Sequence, residues 1–169
     1  MDLRAIQRPL KGQYRQDPGT ARVTLRAEGA QAGSPLSCSV DIGRAVYEAQ
    51  AHQGVGGTGA GACSGDLLLG AVAACAQITC QMVAEGLHIP VRSIRVTVEG
   101  DLDLRGTLGI APDAPVGFEE LRLHFNIDAP EATPSQIADL VEKTERYCVV
   151  LQTIAKPPRI KTLWPEEHA

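Results

Sequence analysis

Two spacings of apolar residues run through this chain. Apolar and polar positions alternate at Val23, Leu25, Ala27 and again at Leu36, Cys38, Val40, Ile42, the period of two expected of strands with one buried face. The EGAQAGSP segment between them reads as turn, and a short third strand is expected near Tyr47. Alternation returns at Ile94, Val96, Val98 and at Leu121, Leu123, Phe125, Ile127, with APDAPVG as turn material between. A last short strand is expected at Ile160 to Trp164, after the Pro157-Pro158 break.

Elsewhere the spacing is helical. Ser64 to Leu87 predicts a long helix, with Ser64 as N-cap, Asp66 set favourably against the helix dipole, and Gly86 with Pro90 ending it. Its apolar residues run nearly all round, so it is expected to be buried on most faces. Its many Gly and Ala residues permit another backbone to approach closely, as at a subunit interface. A second helix begins at Thr133-Pro134-Ser135-Gln136, where Thr caps, Pro takes the first helical position and Gln closes a capping box. Its apolar stripe of Ile137, Leu140, Val141, Cys148 and Leu151 turns Cys148 toward the core, opposite Glu142, Lys143, Glu145 and Arg146. The order β-β-β-α-β-β-α-β, with hairpin-length connections, predicts an α+β fold: an antiparallel sheet covered by two main helices.

Composition narrows the picture. At 169 residues and 44% hydrophobic, residues 1–169 suit one domain, with 1–20 as an N-terminal extension. The net charge is −4 with Lys and Arg dispersed, so no basic stripe awaits a phosphate backbone and nucleic acid is not expected as a partner. The first residues are polar, and the longest run of apolar residues or Gly, Leu67 to Ala76, is too short to span a bilayer; a soluble, cytoplasmic protein is expected. His52, His88, His124 and His168 are scattered, so no metal is expected. Gly54-x-Gly56-x-x-Gly59 matches a dinucleotide fingerprint, but without repeated βαβ units it reads as a plain loop, and no cofactor is expected.

The chemistry lies in the cysteines. Cys38, Cys63, Cys75, Cys80 and Cys148 are odd in number and irregular in spacing, which fits neither a disulfide framework nor a zinc ribbon. Cys38 falls in a strand; Cys75 and Cys148 fall one in each helix, both facing the interior. Cys80, five residues and roughly 140° beyond Cys75, reads as core. Cys63 is a candidate accessory thiol, because a helix N-terminus favours thiolate. Cys75 lies too deep in its helix for that dipole to help, so its activation requires a cation and hydrogen bonds from elsewhere.

CSGDLLLGAVAACAQIT resembles the central helix of the OsmC/Ohr family (osmotically inducible protein C / organic hydroperoxide resistance), and TERYCVVLQTI resembles its second helix. GDLDLRGTLG and APVGFEELRLHFNID are also typical, and the resemblance spans roughly Ala21 to Leu163. It implies an intertwined homodimer that reduces organic hydroperoxides in oxidative-stress defence, with Cys75 as peroxidatic and Cys148 as resolving thiol. It also implies a dithiol reductant, of lipoyl type in the peroxidase members. The chain departs from those members at several points. Gly65 stands at their Glu position, and the nearest carboxylate, Asp66, lies about 180° around the helix from Cys75, so Asp66 reads first as a helix-end group and second as an accessory site residue. No Arg occurs in EGAQAGSP, which leaves Arg22, Arg26, Arg44 and His52 as unranked candidates, and Val149 stands where Pro often follows the second Cys. These departures suit the broader OsmC-like group. They also admit an alternative, a non-catalytic protein of the same fold holding a small apolar or electrophilic ligand near Cys75.

Overall fold

The computed structural model describes residues 3–22, 24, 28–32, 34–41 and 46–164. Its elements are helix α1 (Leu3–Gln16), strands β1 (Glu28–Ala32), β2 (Ser34–Asp41) and β3 (Val46–Gln50), helix α2 (Ser64–Leu87), strand β4 (Ser93–Leu102), the single turn α3 (Leu104–Thr107), strand β5 (Phe118–Asp128), and helices α4 (Pro134–Tyr147) and α5 (Val149–Ala155). The architecture is α+β. β1, β2 and β3 form one antiparallel sheet and β4 with β5 a second.

α2 forms where the sequence places it, because Ala, Leu and Met favour helix over most of its length. Its N-cap is Cys63 rather than Ser64: the helix begins one residue earlier than a Ser cap requires, and Asp66 reaches back 2.8 Å to the Cys63 backbone N–H. Its end is sealed by His88 in the left-handed conformation (φ 55°), which lets the Ile89 N–H reach the Ala84 carbonyl. Only one stripe of α2 is buried within the chain, namely Val72, Ala76, Cys80 and Ala84, each four residues from the last. The expectation of burial on most faces is therefore not met by this chain alone; Ile78 on another face is 58% exposed. By length and composition α2 could cross a bilayer, but it packs on β4, α4 and α5.

The core lies where Cys80 and Ala84 of α2 meet Leu140 of α4 and Ile89, with Ile94, Phe125 and Ile127 of the β4–β5 sheet around them. Burying a Leu side chain such as Leu140 stabilises by roughly 1.5–3 kcal/mol. A polar clamp fixes the rotation of α2 on this sheet. Gln77 donates from Nε2 to the Ile94 carbonyl (2.9 Å) and accepts at Oε1 from the Val96 N–H (3.0 Å). Cys75, two residues earlier and about 200° round the helix, is thereby turned away from the sheet.

α4 starts as its capping box predicts, with Thr133 Oγ1 accepting from the Gln136 N–H and Gln136 Oε1 from the Thr133 N–H. It does not run on through Cys148. Cys148 has extended backbone (φ −71°, ψ 107°) and is both the C-cap of α4 and the N-cap of α5. Two further expectations, for EGAQA and for residues 160–164, are corrected. EGAQA, read as turn, is strand β1, because backbone pairing with β2 holds it extended despite its lack of alternation. The 1–20 extension contains helix α1, which packs on α2. Ile160 to Trp164 forms no strand, since none of the described residues pairs with it. Val23, Leu25 and Ala27 of the first expected strand lie outside the described residues, as do Arg26, Arg44 and His168.

Candidate functional site

The break at Cys148 makes the site. A helix leaves its first N–H groups without internal partners, and α5 begins directly opposite Cys75. The Val149 and Val150 N–H groups are placed to stabilise charge on the Cys75 sulfur, and those of Leu151 and Val150 to oppose the effect of burial on the Cys148 sulfur. The two side chains also hydrogen-bond each other. Cys148 is fully buried and Cys75 partly exposed, and both are free thiols. Tyr147, next to Cys148, and Thr79, one turn beyond Cys75, open onto a cleft of about 680 Å3. α1 contributes Gln7 and Lys11 to its wall, and Met82 and Leu87 of α2 give it an apolar surface.

The pair is electrostatically unequal. Burial pushes the Cys75 thiol up, but hydrogen bonds to its sulfur from the Val150 N–H, the Cys148 thiol, the Thr79 hydroxyl and the Val149 N–H outweigh it, and the net shift is below the ordinary thiol value. Burial also pushes Cys148 up; the Leu151 N–H opposes this, but the Cys75 sulfur reinforces it by hydrogen bonding and by charge, and Cys148 ends above the ordinary value. One sulfur is thus favoured as thiolate and its neighbour as the thiol that donates to it. Among the described residues, no Lys, Arg or His enters the interactions that set Cys75.

The other expected residues gather elsewhere. Cys63 and Asp66 sit at the start of α2, where with His52, Leu69, Leu102 and Phe118 they line a separate recess of about 250 Å3. Asp66 is held below the ordinary carboxylate value by the Cys63 backbone N–H first and the Cys63 thiol second, against a small effect of burial, with the His52 charge contributing least. Asp66 therefore serves the helix end. Nine residues separate it from Cys75 along α2, about 13–14 Å of rise. His52 turns Nδ1 to the Gly54 N–H (3.0 Å), within the Gly-rich loop. There Gly57 is needed for close packing, since a Cβ would lie 1.6 Å from the Ala51 carbonyl oxygen. Arg22 is exposed, and Cys80 is fully buried in the core, its thiol pushed up by burial. Among the described residues no group of His, Cys, Asp and Glu could hold a metal ion.

Sequence reading missed the backbone donors of α5 and the Thr79 hydroxyl. For the first there was no signal, because the apolar stripe keeps its helical spacing straight across the break. For the second the signal was present: Thr79 stands four residues after Cys75, one turn along the same face.

The family described as OsmC-like protein matches residues 57–163, more than half of the chain. No curated protein sequence matches it significantly. Solved structures share the fold. The OsmC-like protein of Mycoplasma pneumoniae superposes with a TM-score of 0.67 at 18% identity, over 80% of this chain and 89% of its own. An organic hydroperoxide resistance protein of Elizabethkingia anophelis gives 0.63 at 22% identity, over 80% and 91%. The organic hydroperoxide resistance protein OsmC of Legionella pneumophila gives 0.60 at 20%, over 79% and 90%.

Proposed function

The chain belongs to the OsmC-like protein family, and on that premise we propose that it reduces organic hydroperoxides with Cys75 and Cys148, in defence against oxidative stress. The observation that carries this reading is the contact between the two thiols and the opposite displacement of their acidities. The Cys75 thiolate attacks the distal oxygen of the hydroperoxide, forming an S–O bond as the O–O bond breaks. The departing alkoxide takes a proton and leaves as alcohol. Cys148, whose thiol donates to Cys75, is the nearest source of that proton. The Cys148 thiolate so formed attacks the Cys75 sulfenic acid, closing a disulfide as the hydroxyl departs, with a second proton, as water. Two electrons have then passed from the thiol pair to the peroxide, and an external dithiol, of lipoyl type, returns them. The cleft beside Thr79 and Tyr147, with its apolar wall, supports an organic rather than a hydrogen peroxide substrate.

The same proposal includes a homodimer in a cytoplasmic setting. Leu68, Ile78 and Met82 on α2, and Ile160, Leu163 and Trp164 beyond α5, are large apolar side chains left exposed by this chain alone, and a second copy would cover them. One observation favours a second reading, non-catalytic binding of an apolar or electrophilic ligand: among the described residues no cation touches Cys75.

The test is to mix the reduced protein with one equivalent of cumene hydroperoxide or of hydrogen peroxide, follow thiol loss, and map the products by mass spectrometry. Faster loss with the organic peroxide, ending in a Cys75–Cys148 disulfide, is expected. Loss no faster than that of a free thiol would leave the binding reading standing.

A further inference from the structure

Helix α1 carries a charge pattern and an exposed face that the thiol site does not use. Its residues, LRAIQRPLKGQYRQ, hold four cations (Arg4, Arg8, Lys11 and Arg15) and no Asp or Glu, in a chain whose net charge is −4. At about 100° per residue, the four cationic positions fall within roughly 60° of one another around the helix axis. The apolar positions Leu3, Ile6, Leu10 and Tyr14 fall within roughly 80°, and the two strips run side by side with Gln7 between them. Cations that look dispersed along the sequence are thus gathered by the helix into one stripe. Arg8, Lys11 and Arg15 are exposed, and among the described residues none of them has an ion-pair partner. The core does not absorb the apolar strip either: Leu10 remains 42% and Tyr14 40% exposed although α1 packs on α2. α1 also lies outside residues 57–163, the part of the chain that matches the family.

We propose that α1 is a membrane-docking helix, which seats the folded protein on a bilayer surface rich in anionic lipid. A helix of low overall hydrophobicity with a cationic strip beside an apolar one lies flat at the boundary of water and lipid, its apolar side chains entering the acyl region while its cations meet the headgroup phosphates. Leu10 and Tyr14 take the first role here and Arg8, Lys11 and Arg15 the second. A nucleic acid would engage the cations and leave Leu10 and Tyr14 in water, so the pairing of the two strips favours lipid. Lys11 also lines the cleft of about 680 Å3 between α1, α2 and α4, and the docked face therefore borders that cleft. The proposal does not depend on the hydroperoxide reading, because it concerns where the protein sits and not what Cys75 does.

The experiment is co-sedimentation of the full chain with vesicles of phosphatidylcholine alone and with vesicles containing about one third phosphatidylglycerol, with duplex DNA offered in a parallel gel-shift assay. Binding is expected to the anionic vesicles only, and high salt is expected to release it. Reversing all three exposed cations (Arg8→Glu, Lys11→Glu and Arg15→Glu together) is expected to weaken partitioning by about a hundredfold or more. Should that variant not fold, neutralising two of them (Arg8→Gln with Arg15→Gln) is expected to weaken it by about thirtyfold. Leu10→Gln with Tyr14→Gln leaves the charge intact and is expected to weaken it by about tenfold. Equal binding to both kinds of vesicle, binding to neither, or binding that the charge or apolar variants leave at the wild-type level would overturn the proposal. Capture by DNA without vesicle binding would overturn it too, and would assign the cationic strip to a phosphate backbone.

Discussion

The two ends of the α2 thiol array show how differently a helix start can be used. At its N-terminus Cys63 sits where helix geometry alone would favour a thiolate, but the anion that occupies that position is Asp66, bonded to the Cys63 N–H and accepting from its thiol. Cys75 lies three turns on, beyond the useful reach of that dipole, yet it is the thiol drawn below its ordinary value. It borrows the unpaired N–H groups of another helix, α5, which the break at Cys148 aims at it. What sets the Cys75 acidity apart from that of the helix start is the backbone donors that face its sulfur, not the helix that carries it.

The strongest way to break this contrast is to remove each sulfur in turn. Cys75→Ser is expected to slow thiol-dependent consumption of cumene hydroperoxide by a thousandfold or more, on the order of losses seen when a nucleophile is removed, while Cys63→Ser leaves the stopped-flow rate near that of wild type. Equal losses would erase the difference between the two ends.

A finer cut deletes one donor. Val149 is the first residue of α5, where Pro fits, and the extended conformation of Cys148 suits a residue that precedes Pro. Val149→Pro removes an N–H from the Cys75 sulfur and leaves the helix in place. Since hydrogen bonds to the thiolate are what bring Cys75 below 9.0, losing one moves the onset of its reactivity toward higher pH. A rise of about one pH unit in the alkylation midpoint is expected. An unchanged midpoint would mean that the helix start does not activate the thiol.

The smallest effect concerns the other end. Asp66→Ala removes half of the capping box and is expected to lower stability at pH 7 by about 1 kcal/mol in urea unfolding. Because the folded-state value of Asp66 lies below the ordinary carboxylate value of 3.8, its contribution is present above that pH and is lost as the pH falls through the folded value. The gap between wild type and variant should therefore close in acid. A gap that stays constant to pH 3 would remove the carboxylate's charge from the account.

Much of this arrangement was legible in the residues. α2 spans the predicted 64–87, the Thr133 capping box opens α4 where it should, and β4 and β5 follow their alternation, because in each case local preference and burial agree. Cys75 and Cys148 were expected to face the interior from two helices; they lie beside each other, but Cys75 is partly exposed and Cys148 sits in the break between α4 and α5. The failures have physical causes. β1 owes its extension to pairing with β2 rather than to its own small, unpatterned residues. α1 left a trace in the spacing of Leu3, Ile6, Leu10 and Tyr14, obscured by Pro9 and a polar setting. The break after Tyr147 left none, since Leu140, Thr144, Cys148 and Leu151 keep helical spacing across it, and with it the donors of the site stayed hidden.

The Gln77 clamp has a consequence for how this protein meets others like it. A strand whose outer N–H and C=O groups are open invites another strand to add to it, a common start to aggregation. The Gln77 amide offers Ile94 and Val96 one acceptor and one donor, as a neighbouring peptide unit would, on a side where no strand among the described residues pairs with β4. The edge of β4 is closed at that point by a single side chain from the helix that carries Cys75. Replacing that amide would uncover a docking edge for stray chains as well as loosen the seat of α2.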